Sequence, residues 1–219
     1  MEPIYDAMLH RQALLVPRAH PGVVTDPSTC LAIYAPLEDV EMTEAFRELQ
    51  TRCQAFFPYT MEGGVNQGRL HVTLLQLLTF GQFRPDQDTL APYASLLEEL
   101  LPELLPLTVE FQHVCVAATS VMMLGFPDKD VNAWRERFRR RCLEAKVPLH
   151  EPYKADLVHC TLARFATVPT PKQLAGLACR SVVLGRVRIH RWLVGPATWR
   201  VGDSPVWAEF NSNAISSTQ

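Results

Sequence analysis

Apolar and polar residues alternate along two short stretches of the chain, and each stretch carries one histidine and one threonine. The first has His71 and Thr73 between apolar neighbours, and the second has His159 and Thr161. Successive side chains of a β-strand point to opposite faces of the sheet. The alternation therefore predicts two strands, each with an apolar face and a face that carries a His/Thr pair.

The remaining hydrophobic pattern predicts further strands and several helices. Apolar residues that recur at intervals of three and four predict helices at 38–57, 86–105 and 128–146, and a short helix is expected at 171–181. Pro102 should break the end of the second helix. Alternation and short apolar runs predict strands at 30–36, 70–80, 107–118, 120–126, 157–165, 185–194, 198–201 and 206–210.

The ends of the chain differ from its centre. Prolines and a glycine interrupt residues 1–29, so we expect an irregular N-terminal extension there. Residues 212–219 are polar and predict a flexible tail. The domain is therefore expected to span residues 30–211.

The two His/Thr strands lie 88 residues apart, and the same offset aligns other segments. Residues 45–48 align with 133–136, and the predicted strand 31–37 aligns with 119–125. Few positions are identical, so two unrelated amphipathic helices could produce the same match. We favour a duplication, which predicts two lobes related by a pseudo-two-fold axis with both His/Thr faces at one cleft.

The composition excludes several classes of protein. The chain has 219 residues, of which 47% are hydrophobic, which suits one medium domain or two small lobes. A net charge of −2 provides no field for long duplex DNA, whereas a nucleotide or a short single-stranded RNA needs only a local site. No apolar run is long enough to span a membrane and the N-terminus does not look like a signal peptide. We therefore expect a cytoplasmic or nuclear monomer with no membrane partner.

The six cysteines predict buried free thiols rather than a disulfide framework or a zinc site, because none forms a CxxC pair. No cofactor is expected.

Two histidines on opposite walls of a cleft fit the chemistry of displacement at phosphorus. One imidazole deprotonates the attacking oxygen and the other protonates the leaving oxygen, since both titrate near neutral pH. The hydroxyls of Thr73 and Thr161 can donate hydrogen bonds to phosphate oxygens. The histidines lack the additional ligands at short spacing that a metal site requires, so a mechanism without metal is predicted.

Both motifs have the form His-x-Thr-Leu, and with them the chain resembles the two-histidine (2H) phosphoesterase superfamily. Residues 159–165 are most similar to the second motif of its 2′-5′ RNA ligase-like branch, and residues 30–36 resemble the first strand of that branch. The resemblance covers about residues 30–210. It implies a bilobal α+β fold in which two antiparallel sheets line a central groove, with helices outside.

The resemblance also implies a function and a set of site residues. Members hydrolyse 2′,3′-cyclic phosphates, 2′-5′ linkages or related phosphodiesters of nucleotides and RNA ends without metal. His71 and His159 would be the catalytic pair, with His159 activating the nucleophile and His71 protonating the leaving oxygen. Thr73 and Thr161 would bind the phosphate. The alternatives are a module that binds such a phosphate without turnover, and an unrelated α+β protein in which the motifs are accidental.

Several further residues have two interpretations. Arg164 faces away from Thr161 on an ideal strand and would reach the phosphate only if a bulge or the strand end turned it. Tyr59, Phe80 and Tyr153 could stack on a nucleobase, although aromatic residues more often belong to a core or a rim.

Two other features have a simpler expectation. His113 lies between apolar neighbours and is predicted to be a core residue. The arginine-rich segment 135–141 of the third long helix predicts a solvated face, with contact to an RNA backbone as the alternative.

Overall fold

The structure is a computed structural model, and part of the chain is described by it. Tyr59, Tyr153, the predicted strand 198–201 and most of the predicted helix 171–181 lie outside the described residues, as do the two ends of the chain. The described residues are 29–37, 44–46, 48–49, 51, 70–80, 87–116, 120–151, 154–164, 180–197 and 206–212.

Eight strands of the described residues form one sheet, and every neighbouring pair of strands is antiparallel. Their order across the sheet is β6-β3-β4-β5-β2-β1-β7-β8. The strands are Thr29–Pro36 (β1), His71–Phe80 (β2), Leu107–Val116 (β3), Ser120–Pro127 (β4), Val158–Arg164 (β5), Arg180–Ile189 (β6), Arg191–Ala197 (β7) and Ala208–Asn211 (β8).

The sheet departs from the expected architecture at its centre. Two separate sheets were expected, but the pairing of Val72 with Cys160 joins β2 to β5 and makes one continuous sheet within the described residues. The α+β class is confirmed, with strands and helices in separate layers. The predicted strand 185–194 is also corrected, because it divides at His190 into the end of β6 and the start of β7.

The division at His190 also bends the sheet. β6 is an edge strand, whereas β7 lies on the far side of the sheet next to β1. Only one residue separates Ile189 from Arg191, and two residues of extended chain span about 7 Å at most. The two sides of the sheet must therefore approach each other at this point.

Helices cover one face of the sheet. The described residues of the first predicted helix, 44–46, 48–49 and 51, are helical. The second is Ala91–Leu100 (α1), flanked by 3₁₀ turns at Gln87–Leu90 and Leu101–Leu104, so Pro102 interrupts it as predicted. The third is Val131–Glu144 (α2). The helix predicted at 171–181 is wrong at its end, because Arg180 and Ser181 belong to β6.

The main core lies between the helices and the sheet. Asp130 caps the start of α2 by accepting a hydrogen bond from the main-chain N–H of Ala133 at 2.9 Å. The indole of Trp134 donates to the carbonyl oxygen of Leu100 at 2.7 Å, which ties α2 to α1. The ring of Phe46 packs edge-on against Phe111 of β3 at a centroid distance of 5.2 Å. Leu74 of β2 and Leu162 of β5 belong to the same core as Trp134, so the apolar side of both His/Thr strands faces the helical layer.

Two strand pairs repeat the same register at the offset of 88 residues. When 88 is added to the residue numbers of a pair between β1 and β2, the result is a pair between β4 and β5 wherever both positions lie in those strands. Both ladders contain a register shift at the equivalent point, after Ile33 in one and after Val121 in the other. The bridge between β2 and β5 also joins equivalent positions. These agreements support a duplicated unit with its pseudo-two-fold axis at that bridge. The equivalent pairs are Tyr34–Thr73 with Met122–Thr161, and Pro36–His71 with Leu124–His159.

Candidate functional site

The side chains of the two His/Thr strands alternate between the core and the opposite face. In β5, Val158, Cys160 and Leu162 are buried, whereas His159 and Thr161 are half-buried. The first four residues of β2 repeat this alternation. We call the side of the sheet that carries these histidines and threonines the His/Thr face.

The pairing of β2 with β5 brings the four polar residues into one patch. Val72 is the partner of Cys160 in an antiparallel ladder. Because the strands run in opposite directions, the residue that precedes Val72 lies opposite the residue that follows Cys160. In the same way, the residue that follows Val72 lies opposite the residue that precedes Cys160. The resulting His/Thr patch consists of two cross-strand pairs, His71 with Thr161 and Thr73 with His159.

The two histidines occupy diagonal corners of the His/Thr patch. Diagonal neighbours on antiparallel strands are about 7–8 Å apart at their Cα atoms. One phosphate group held by a hydrogen bond of about 2.8 Å on each side spans a distance of this order. Side chains on one face of a sheet stand roughly parallel, so this spacing agrees with a phosphate between the two imidazoles and a threonine hydroxyl at each remaining corner.

Apolar residues flank the patch on both outer strands. Tyr34 of β1 pairs with Thr73, and its ring meets the imidazole of His71 edge-on at 5.9 Å. On the other side Met122 pairs with Thr161, and Leu124 pairs with His159. Sequence reasoning did not identify Tyr34 as a site residue. The available signal was that Tyr34 directly follows the core residue Ile33 in a strand and therefore lies on the opposite face of the sheet.

A buried thiol lies directly behind the patch. Burial raises the pKa of Cys160 to about 12, while a backbone hydrogen bond with His71 acts in the opposite direction. The side chain is fully buried, so it packs across the junction between β2 and β5 rather than facing a ligand. Cys115, Cys142 and Cys160 are buried free thiols, as predicted, whereas Cys30 is a free thiol that is only half-buried. The other two cysteines lie outside the described residues.

A bulge changes the expectation for Arg164. The β4–β5 register shifts between Val121 and Met122, so that Thr161 and Ala163 have consecutive partners and Leu162 is the extra residue. Position 164, the partner of Ser120, thereby returns to the register of the His/Thr face. The side chain of Arg164 lies outside the described residues, as does that of Phe80 at the end of β2.

The interpretation of His113 is corrected by a second bulge. β3 shifts register between Gln112 and Val114, and the bulged residue His113 has a φ of 58°. Its half-buried ring meets that of Phe126 edge-on at 6.1 Å. Sequence periodicity assigned this residue to the core because a regular strand was assumed.

The arginine-rich segment of α2 is occupied by ion pairs. Arg137 pairs with Glu103, and Arg141 pairs with Glu99 at 2.7 Å. Arg139 donates two hydrogen bonds to Glu151, at 2.7 and 2.8 Å. These contacts favour a structural role over contact with RNA. Arg135 does not belong to the predicted solvated face, because its side chain is buried.

Neither a membrane span nor a metal site is found in the described residues. No helix in these ranges has both the length and the apolar character needed to cross a bilayer. In the same ranges, no three His, Cys, Asp or Glu side chains are grouped as ligands of a metal ion.

Comparison with known proteins gives matches of fold. Neither a protein-family model nor a curated protein sequence matches the chain. The solved structure of Escherichia coli LigT complexed with 3′-AMP is similar with a TM-score of 0.50 at 11% identity, covering 84% of this chain and 98% of LigT. TT0787 of Thermus thermophilus is similar with a TM-score of 0.53 at 18% identity, covering 84% of this chain and 97% of TT0787. At 11% and 18% identity these matches show the fold, and it is the fold that the resemblance of the sequence implied: this chain has the LigT fold.

Proposed function

We propose that this protein is a metal-independent 2H phosphodiesterase that hydrolyses a 2′,3′-cyclic phosphate or a 2′-5′ linkage of a nucleotide or an RNA end. The observation that carries the proposal is the His/Thr patch, in which two imidazoles and two hydroxyls share one face of adjacent strands. The fold shared with LigT supports it, and 3′-AMP in the LigT complex supports a nucleotide as ligand. A net charge of −2 agrees with a short single-stranded substrate rather than a long duplex.

The reaction is an in-line displacement at phosphorus. Neutral His159 removes the proton of the attacking water as its oxygen bonds to phosphorus. Protonated His71 donates a proton to the ribose oxygen whose bond to phosphorus breaks. After the reaction His159 is protonated and His71 is neutral, the reverse of their initial states. Exchange of protons with water restores the initial states.

The other polar residues of the site stabilise charge. Thr73 and Thr161 donate hydroxyl hydrogen bonds to the non-bridging phosphate oxygens, which gain charge in the transition state. Arg164 supplies a cation to the same oxygens from its position after the bulge in β5. The apolar flank formed by Tyr34, Met122 and Leu124 limits the access of water to the reacting atoms.

The first test is hydrolysis in EDTA of a panel of 2′,3′-cyclic nucleotides and 2′-5′ and 3′-5′ dinucleotides. His71→Ala and His159→Ala should each reduce kcat by about 10²–10⁴-fold, the usual contribution of an acid–base group. His190→Ala is the matched control, because His190 is exposed between β6 and β7. Full activity in either patch variant contradicts the mechanism, and ligand binding without product supports a binding module.

The assignment of acid and base has its own test. A p-nitrophenyl phosphodiester has a leaving group that needs no protonation. With this substrate, His71→Ala should regain most of its lost rate relative to wild type, and His159→Ala should not. The opposite pattern would exchange the two roles.

A further inference from the structure

Three consecutive main-chain carbonyls just before β5 are satisfied by side chains of one helix. The donors lie at positions 132, 135 and 139 of α2, a spacing that places them on one helix face. The side chain of Asn132 donates to the carbonyl oxygen of Asp156 at 2.8 Å. Arg135 donates to that of Leu157 at 2.9 Å, and Arg139 donates to that of Ala155 at 3.2 Å.

Arg135 differs from the other two donors because it also reaches β2. Its Nε donates to the carbonyl oxygen of Leu74 at 2.8 Å, while its Nη2 donates to that of Leu157. Its Nη1 donates to the side-chain oxygen of Asn132 at 2.9 Å, and the residue is only 1% exposed. One guanidinium therefore links the strand of Thr73 to the segment that leads into the strand of His159.

The link spans the junction with the shortest main-chain ladder in the centre of the sheet. β1 pairs with β2 from Thr29 opposite Phe80 to Pro36 opposite His71. By contrast, β2 and β5 pair at Val72 and Cys160. The relative position of the two histidines consequently depends on contacts other than this ladder, and the guanidinium is a side-chain link between the two strands.

We propose that Arg135 is a positioning residue for the phosphodiesterase reaction, and that its guanidinium sets the separation of the two histidine-bearing strands. This inference rests on the proposed function. A guanidinium presents its N–H groups in a rigid planar fork, so it holds two carbonyls at one mutual distance, whereas a lysine ammonium on a flexible stem does not. A cation is unfavourable in a core unless it is fully hydrogen-bonded. An apolar residue would pack the same site at lower cost but would remove the hydrogen bonds that join the carbonyls of Leu74 and Leu157.

The kinetic test uses Arg135→Lys and Arg135→Met. A displacement of catalytic groups by about 1 Å can reduce the rate about 10²-fold, so both variants should lose about that factor in kcat while KM changes less than about threefold. Asn132→Ala, which removes one partner of the guanidinium, should give a smaller loss with the same pattern. It also keeps the inference testable where the Arg135 variants do not fold.

The matched control is Arg139→Met. Arg139 lies on the same helix face and holds Ala155 and Glu151, but it donates no hydrogen bond to β2 in the described structure. It should lower the unfolding midpoint and leave kcat of the folded enzyme within about twofold. Wild-type kcat in Arg135→Lys, or an equal loss of kcat in Arg139→Met, overturns the inference.

Amide hydrogen exchange separates this inference from the proposed function. Leu37 donates its N–H to the carbonyl of Leu70, so alternate residues of β2, Val72 among them, turn their N–H groups to β1, and those of Thr73 and its counterpart Thr161 face the β2–β5 junction. Exchange at Thr73 and Thr161 should accelerate in Arg135→Lys relative to Arg139→Met when both are compared at equal global stability. Unchanged exchange overturns the inference even in an active enzyme. Accelerated exchange in a protein that hydrolyses none of the substrates supports the link between the strands and contradicts the phosphodiesterase.

Discussion

The hydroxyls of the His/Thr patch have separable effects at the scale of single residues. A hydrogen bond to a charged group contributes about 1.5–3 kcal/mol. We therefore expect Thr73→Val and Thr161→Val each to lower kcat/KM by roughly 10- to 100-fold in steady-state assays, because valine keeps the shape and removes the donor. Thr79→Val is the control in the same strand, since the hydroxyl of Thr79 donates to the carbonyl of His150 instead. Equal losses at all three positions would contradict phosphate binding by the patch.

The strands of the sheet leave no space for a side chain at one position of β4. A Cβ atom at Gly125 would lie 2.6 Å from Val109 Cγ1 and 3.1 Å from Val158 Cγ1. Both valines are buried and β-branched, so neither can move away freely. Gly125→Ala should reduce the free energy of unfolding by about 1–3 kcal/mol in urea denaturation, the usual cost of overpacking.

The double variant Val109→Ala/Gly125→Ala tests the reason for that loss. Removing the Val109 methyls leaves a place for the new methyl of residue 125. The double variant should therefore be more stable than the sum of the two single effects predicts. Additive losses would show that the contact with Val109 is not the cause.

Buried acids couple the stability of the whole molecule to alkaline pH. Burial raises the pKa of Cys142 to about 11 and that of Cys160 to about 12, and burial also raises the pKa of the Tyr93 phenol. In the unfolded chain these groups lose their protons from about pH 9 to 10. The unfolded state therefore binds fewer protons above about pH 9, so the stability of the folded state falls as pH rises towards 12.

Urea midpoints at pH 8, 9, 10 and 11 measure this dependence. The midpoint should be highest at pH 8, lower at pH 9, and should fall further at pH 10 and 11. Cys142→Ala/Cys160→Ala should show a shallower fall, because two of the three groups are gone. A wild-type midpoint that is constant to pH 11 would contradict the burial of these groups.

Much of the site could be predicted from the sequence because strand periodicity is local. The alternation around His71 and His159 indicated which residues face the core and which share a face, and the structure agrees. The offset of 88 residues indicated that the two strands are equivalent, and the matching registers agree with it. Arg135 was missed because its hydrogen bonds reach main-chain carbonyls distant in sequence, which leave no pattern in the residue types.

The order of residue types along the chain was enough to predict the two His/Thr strands, their polar faces and the helices that pack behind them, since these depend on side-chain periods of two and of three to four residues. Three features become visible only in the folded chain: β2 and β5 are neighbours in one sheet, the strand predicted at 185–194 divides at His190, and a bulge returns position 164 to the His/Thr face. Those features depend on hydrogen bonds between distant parts of the main chain, and every residue type carries the same main-chain groups, except for the N–H that proline lacks. The diagonal arrangement of His71 and His159 across that single junction is therefore a property of the fold.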